Sequence, residues 1–168
     1  YQYFASKEDL YFAVVLRGYT ALFSFLQQEA ISGSNGFMKL YNACKGYYRF
    51  YRESPEMLRL MNYIGHVKRK MGKESERRLE SVEFNNQIFE WIAAIIEEGK
   101  KDGSIRPDIN AAKTSFSLVF MTTGFFSQLS ANGNTFMDHF NLQPDDFVSS
   151  SMDLLVQSIK NGNESFQK

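Results

Sequence analysis

Cysteine is almost absent from this sequence, which contains only Cys44. A single cysteine cannot form a disulfide within the chain, and no segment has the pattern of a secretory signal peptide. No uninterrupted apolar run approaches the roughly 20 residues that a membrane-spanning helix requires. We therefore expect a cytoplasmic protein with no membrane partner.

An excess of charge is also absent, because 19 basic side chains balance 19 acidic ones. A neutral chain is not drawn as a whole to the phosphates of nucleic acid or to an anionic membrane surface. Any contact with DNA would therefore depend on a local patch or on a separate segment.

The common catalytic and metal-binding motifs are missing as well. The chain contains no G-x-S-x-G, no glycine-rich phosphate loop and no C-x-x-C pair. Its two histidines, His66 and His139, do not lie in the Glu-x-x-His pairs that a helical di-iron site needs. We therefore expect neither an enzyme nor a bound metal or cofactor.

Proline is scarce, and each of the three prolines marks a predicted helix boundary. Ser54 and Pro55 begin one helix, Pro107 precedes another, and Pro144 begins the last. Apolar residues at helical spacing fill the segments between these boundaries. The length of 168 residues suits one domain. We predict an all-α fold, an antiparallel bundle of about six helices.

The segment that ends at Asp102 predicts the central helix of this bundle. Ile88, Ile92 and Ile95 recur at helical spacing, and Trp91 widens the apolar surface to more than half of the circumference. A helix with so much apolar surface is surrounded by other helices. The next long helix is predicted over residues 110–130, with a polar turn after it at 131–135.

Aromatic residues are abundant, with 16 Phe and 9 Tyr. They concentrate on the helix predicted from Phe37, where Tyr47 and Tyr51 occupy the two apolar stripes. Buried tyrosines bring hydroxyl groups that need partners, so a purely structural core would favour Leu and Ile. Two interpretations remain open, since the rings either fill space between helices or line a ligand cavity. Cys44 on the same helix is interpreted as a small core residue.

The first ten residues resemble a signature of the TetR family of bacterial transcriptional regulators. The match to Y-x-[YH]-F-x-x-K-x-x-L is carried by Tyr1, Tyr3, Phe4, Lys7 and Leu10. In that family the signature joins a helix-turn-helix to the first long helix. The resemblance implies that residues 1–5 are the remnant of the DNA-binding domain, most of which is absent. Residues 6–168 would form the ligand-binding and dimerisation domain.

The resemblance also implies the function, that of a repressor released from operator DNA by a small, mainly apolar or aromatic ligand. Operator DNA would be bound through the missing N-terminal domain, with Tyr1 and Lys7 on its phosphates. From helical periodicity we predict that the following residues bind the ligand: Tyr47, Tyr51, Met57, Met61, Phe84, Ile88, Trp91, Phe116 and Phe120.

A homodimer is expected from the same resemblance, through the last two long helices. The predicted interface residues are Leu118, Thr122, Phe125, Val148, Met152, Leu155 and Ile159. Packing within one chain could use the same side chains. The alternative function is a helical interaction or dimerisation module without a ligand, and an internal cavity would separate the two.

Overall fold

The computed structural model describes residues 3–4, 6–67 and 76–162. Six helices are found in these residues, so the all-α prediction and the expected number of helices are confirmed. Their bounds are α1 Lys7–Ala30, α2 Gly36–Glu53, α3 Pro55–Val67, α4 Glu76–Asp102, α5 Ala111–Phe140 and α6 Pro144–Gln157.

Local capping residues begin the first two helices. The Ser6 hydroxyl accepts a hydrogen bond from the backbone N–H of Asp9 at 3.1 Å, which starts α1. The Asn35 side chain accepts one from Met38 at 2.8 Å, which starts α2. Each cap satisfies a backbone donor that has no partner inside the helix.

Helix α4 lies at the centre of the bundle, as its sequence predicts, and packs against α1, α2 and α5. Its isoleucines are buried on more than one side, including Ile88, Ile92, Ile95 and Ile96. Because these side chains cover most of the circumference, several neighbours are needed to remove them from water.

Where α2 begins and α4 ends, the two helices are in direct backbone contact. A Cβ added to Gly36 would lie 2.3 Å from the Cα of Gly99, so only glycine fits this crossing. The carboxylate of Asp102 accepts a hydrogen bond from the N–H of Gly36 at 2.7 Å, and the Ser104 hydroxyl accepts one from Phe37 at 3.0 Å. We call this region the closed end of the bundle.

The residues after α6 are joined to the same closed end. The N–H of Arg106 donates to the carbonyl of Ile159 at 3.0 Å, and the N–H of Asn161 donates to that of Ser104 at 3.1 Å. An isolated β-bridge pairs Ile105 with Lys160. These bonds hold the start of the C-terminal segment against the closed end.

One sequence prediction is wrong in α5, which continues through the predicted polar turn at residues 131–135 and ends only at Phe140. Asparagine and glycine inside a helix cost up to about 1 kcal/mol each, which tertiary packing can offset. Here Gly133 and Met137 are buried, and the ring of Phe136 lies 5.8 Å from that of Phe147 on α6. The helix stops instead at Asn141, which has a left-handed backbone (φ 50°).

The expectation that no apolar segment approaches 20 residues also needs correction. Within α1, the 22 residues Asp9–Ala30 are long and apolar enough to cross a membrane by length and composition. Core helices of globular proteins meet the same criterion, and α1 packs against α2, α3 and α4. Phe12, Val15 and Leu22 are buried in that packing, which explains the apolar composition of the helix.

Candidate functional site

A cavity of about 220 Å³ lies among α1, α2, α3, α4 and α5. Its walls are largely aliphatic, with Leu22 and Leu26 from α1, Leu40 from α2, and Ile88 and Ile92 from α4. An apolar cavity of roughly 150 Å³ is large enough to bind benzene, so this one has room for a larger ligand.

Helical periodicity explains how α2 contributes to the wall. Leu40, Ala43, Cys44 and Tyr47 are three or four residues apart, and all four line the cavity. This side of α2 therefore faces the cavity, and Tyr47 lies against a hollow instead of a solid core.

Tyr47 carries one of the polar groups that the cavity contains. Burial raises the pKa of Tyr47 to about 12, and a hydrogen bond with Thr123 opposes that shift. Its ring is stacked on Phe126 with 4.5 Å between centroids. The hydroxyl is therefore neutral at physiological pH and held at a defined place in the wall.

The remaining polar groups come from four helices. They are the side chains of Tyr19, Asn62, Asn85, Thr122 and Thr123. Burial also raises the pKa of Tyr19. No Asp, Glu, His, Lys or Arg belongs to the lining found in the described residues. The site is therefore suited to hydrogen bonding with a neutral molecule and offers no counter-charge to an ion.

The thiol of Cys44 faces the cavity but is unsuited to nucleophilic chemistry. Burial raises its pKa to about 12, so the reactive thiolate is not populated at neutral pH. Cys44 thus serves as a small apolar wall residue, in keeping with its interpretation from the sequence.

Aromatic rings flank one side of the cavity, between α4 and α5. Phe89 and Phe120 both line it, while Phe120 is 71% exposed. Phe116 packs on Phe89 with 4.4 Å between ring centroids. Phe120 therefore lies at the rim, where it is in contact with both solvent and the hollow.

Some of the predicted ligand residues come together in this lining and others do not. Those that line the cavity are Tyr47, Met61, Ile88 and Phe120. Those outside its lining are Tyr51, Met57, Phe84, Trp91 and Phe116.

The residues outside the lining have identifiable structural contacts. Phe84 and Trp91 pack edge-on against Phe23 of α1, at 5.8 and 5.2 Å between ring centroids. Tyr51 lies beside a separate polar hollow between α2, α3 and α5, and Met57 approaches Gly18 of α1. Helical spacing identified these apolar residues, but it could not distinguish a face toward the cavity from a face toward a neighbouring helix.

Sequence reasoning missed the contribution of α1, whose Tyr19, Leu22 and Leu26 form a wall of the cavity. It also left Asn62 and Asn85 out of the predicted ligand residues. A polar residue on an otherwise apolar face was the available signal, since Asn62 comes four residues after Leu58 and Asn85 three residues before Ile88, both of which line the cavity.

Most of the predicted dimer residues are already buried within one chain. Leu118 and Thr122 face the cavity. Val148 and Met152 on α6, and Ile159 just after that helix, are in the core. A side chain covered by its own chain is not available to a second copy.

The other two predicted interface residues are partly buried. Phe125 packs between Phe126 and Phe147, at 5.2 and 5.8 Å between ring centroids. Leu155 packs against the core cluster. The narrow apolar seam of α6 is therefore used for packing inside the chain, the alternative that the sequence left open.

An exposed surface does follow the opposite side of α5. Its residues alternate at spacings of four and three: Ser117, Met121, Gly124, Gln128 and Ala131. Met121 is 59% exposed, and nothing lies within 4 Å of a Cβ added to Gly124. We call this surface the outer face of α5.

Of the predicted DNA-contact residues, Lys7 is described and Tyr1 is not. Lys7 is exposed at the first turn of α1, with its Nζ 5.5 Å from the centre of the Tyr11 ring. The side chain of His66 also lies outside the described residues. Within the described part of the chain, no group of three His, Cys, Asp or Glu side chains could hold a metal ion.

Comparison with known proteins bears on the fold. No model of a protein family matches this chain. No curated protein sequence matches it either.

Two solved structures resemble it over 95% of its length. A protein of unknown function from Rhodococcus sp. RHA1 has a TM-score of 0.69 at 16% identity, with 78% of that chain covered. A TetR family transcriptional regulator from Chloroflexus aurantiacus J-10-FL has a TM-score of 0.59 at 21% identity, with 76% covered. At these identities the likeness shows the fold. The chain thus has an all-α fold similar to that of a TetR family regulator.

Proposed function

We propose that this chain is the ligand-binding and dimerisation domain of a TetR-like transcriptional repressor. A small, mainly apolar or aromatic molecule occupies the cavity between α1 and α5. The cavity is the observation that carries this proposal, because a helical module that only binds protein partners has no need for a hollow core. The similar fold of a TetR family regulator supports it.

The proposed mechanism is a shift between two conformations of the domain. Ligand binding favours one of them, and coupling energies of this kind are about 1–3 kcal/mol. Helix α1 contributes Tyr19, Leu22 and Leu26 to the cavity and carries Lys7 at its first turn. A displacement of α1 would therefore move Lys7 relative to the operator phosphates, together with any DNA-binding helices of the kind that precede this helix in the TetR family. Such a regulator acts in the cytoplasm without a catalytic step.

Ligand binding is tested with butylbenzene, an aromatic hydrocarbon larger than benzene, by calorimetric titration of the full chain. Replacing Ala43→Leu fills part of the cavity, so we expect at least a tenfold loss of affinity, comparable to the removal of about 1.4 kcal/mol of binding free energy. The matched control is Ala94→Leu, an exposed alanine on α4 outside the lining. Absence of binding, or equal affinity in both variants, would favour the interaction module.

The homodimer is proposed to form through the outer face of α5, with the exposed Leu154 of α6 as a further contact. Leu154 is 80% exposed, and the small residues of the outer face permit two helices to approach closely. We expect Met121→Glu to produce monomers in sedimentation velocity, because it would bury a carboxylate at the interface. Val82→Glu on α4 is the control at another exposed apolar position. A wild-type monomer, or a dimer that tolerates Met121→Glu, would contradict this interface.

A further inference from the structure

We propose that the cavity selects an electrically neutral ligand with an apolar body and a carbonyl or hydroxyl oxygen, which is hydrogen bonded by Asn62 and Asn85. This inference rests on the proposed ligand-binding function and specifies the chemical class of the ligand. The preferred ligands are neutral oxygen-bearing molecules, and carboxylates and amines are excluded.

The exclusion of ions follows from the composition of the wall. Among the described residues, the lining consists of aliphatic, aromatic, amide, hydroxyl and thiol side chains, none of which is charged at neutral pH. The tyrosine and cysteine there keep their protons, because burial raises the pKa of both Tyr47 and Cys44 to about 12. An ion entering this site would lose hydration without gaining a counter-charge, which costs several kcal/mol.

The requirement for an oxygen atom follows from two uncommitted carboxamides. Asn62 and Asn85 are half-buried in the lining, and neither makes a hydrogen bond with another described residue. By contrast, buried Asn42 outside the cavity donates to the Ser32 hydroxyl at 2.9 Å. Polar groups in an apolar wall are costly unless a partner satisfies them. A ligand oxygen supplies that partner.

The position of the two asparagines gives the oxygen a further role. Among the described residues, α3 packs against α1, α2 and α5, whereas its backbone does not approach that of α4. Asn62 belongs to α3 and Asn85 to α4, so both helices present a carboxamide to the same cavity. An oxygen-bearing ligand therefore links two helices that are otherwise separated by the hollow.

Three probes of similar size test this selection on the full chain by calorimetry at pH 7. They are benzylacetone, a neutral ketone; butylbenzene, a hydrocarbon; and hydrocinnamate, a carboxylate. A net hydrogen bond is worth about 0.5–1.5 kcal/mol, so benzylacetone should bind about two- to tenfold more tightly than butylbenzene. Hydrocinnamate should bind at least tenfold more weakly than benzylacetone, because it loses the hydration of its charge.

The variants Asn62→Leu and Asn85→Leu remove the carboxamides while keeping side-chain size. We expect benzylacetone to bind about three- to tenfold more weakly to each, with butylbenzene unchanged or tighter. Asn86→Leu is the matched control, because Asn86 is exposed on α4 and lies outside the lining. If a variant fails to fold, the comparison of the three probes on the unmodified chain still tests the inference.

Several results would overturn the inference. Hydrocinnamate binding as tightly as benzylacetone would show that the cavity accepts anions. Unchanged benzylacetone affinity in both asparagine variants would show that the oxygen is bound elsewhere. In either case butylbenzene binding would leave the proposed ligand-binding function intact. If none of the three probes bound, the proposed function and this inference would both fail.

Discussion

Helices α2 and α4 contribute to both the closed end and the cavity, yet the closed end is solid and the cavity is hollow. At the closed end Gly36 meets Gly99 with no space for a single methyl group. Two turns further along α2, Ala43 and Tyr47 face Ile88 of α4 across a hollow of about 220 Å³. Glycines let the backbones touch, whereas large side chains that do not interdigitate hold them apart.

A small helical domain can in this way combine a tightly packed end with a hollow interior. The closed end is held by backbone contact, by the Asp102 and Ser104 caps on α2, and by the bonds from the C-terminal segment. The cavity has none of these constraints. We infer that the closed end acts as the fixed reference against which a ligand can rearrange the rest of the bundle.

The largest effect is expected from adding one methyl group at the closed end. In Gly36→Ala the new Cβ would meet the backbone of Gly99, which cannot turn aside as a side chain can. Overpacking of this kind costs about 1–3 kcal/mol. Thermal denaturation followed by circular dichroism should therefore show a Tm lower by about 2–10 °C.

Gly124→Ala is the control for that substitution, because a Cβ at Gly124 meets nothing within 4 Å. Alanine is the better helix former by about 1 kcal/mol, so this variant should match or exceed the wild-type Tm. Equal destabilisation by the two alanines would show that the closed end is not constrained by packing.

A smaller effect is expected at Trp91, which packs against Phe23 beside the cavity but outside its lining. Removal of a fully buried Trp costs about 3–5 kcal/mol, so the half-buried Trp91→Ala should cost about 2 kcal/mol. Chemical denaturation should report that loss, while calorimetry on the folded variant should find butylbenzene affinity within about threefold of wild type. A selective loss of affinity without a loss of stability would place Trp91 in the binding site.

The smallest effect on stability is expected from protonation of Asp102 at the closed end. Partial burial raises the pKa of Asp102, but hydrogen bonds from Ser104 and from the N–H of Gly36 lower it by more. The net effect is a pKa below the usual value. A carboxylate with a depressed pKa stabilises the fold above its unfolded pKa of about 3.8, and this stabilisation is lost as pH falls through the folded pKa. Asp102→Asn should therefore be less stable than wild type at pH 7.

The pH dependence separates this linkage from a simple loss of packing. The difference in unfolding free energy between wild type and Asp102→Asn should shrink as pH is lowered from 5 to about 3, because wild type then loses its charge too. Urea denaturation at several pH values measures it. A difference that stays constant over this range would mean that the charge of Asp102 does not stabilise the closed end.

Local signals in the sequence were sufficient for the helices themselves. Ser6, Asn35 and Pro55 begin helices where capping chemistry and proline geometry require it. The same local reasoning failed at residues 131–135, where weak helix formers continue α5 because Met137 is buried and Phe136 packs against α6. Propensity differs by about 1 kcal/mol at such positions, which a tertiary contact outweighs.

The candidate site was predictable only in part, for a geometric reason. Tyr47, Met61 and Ile88 were found because an apolar face at helical spacing must be covered by something. Trp91 also lies on an apolar face at helical spacing, yet it packs on Phe23. Periodicity identifies an apolar face but does not show whether a cavity or another helix covers it. Val148 and Met152 of the predicted dimer seam likewise lie in the core of their own chain, which periodicity alone could not show.

Residues close together in the chain were sufficient to give the all-α class, the helix starts and the central place of α4. Tertiary structure alone decided where the hollow lies and which faces of α5 and α6 are covered. A cavity exists only where side chains from several helices leave space between them. Ala43 of α2 and Ile88 of α4 border such a space here. That space depends on interhelical distances, which no single stretch of sequence contains.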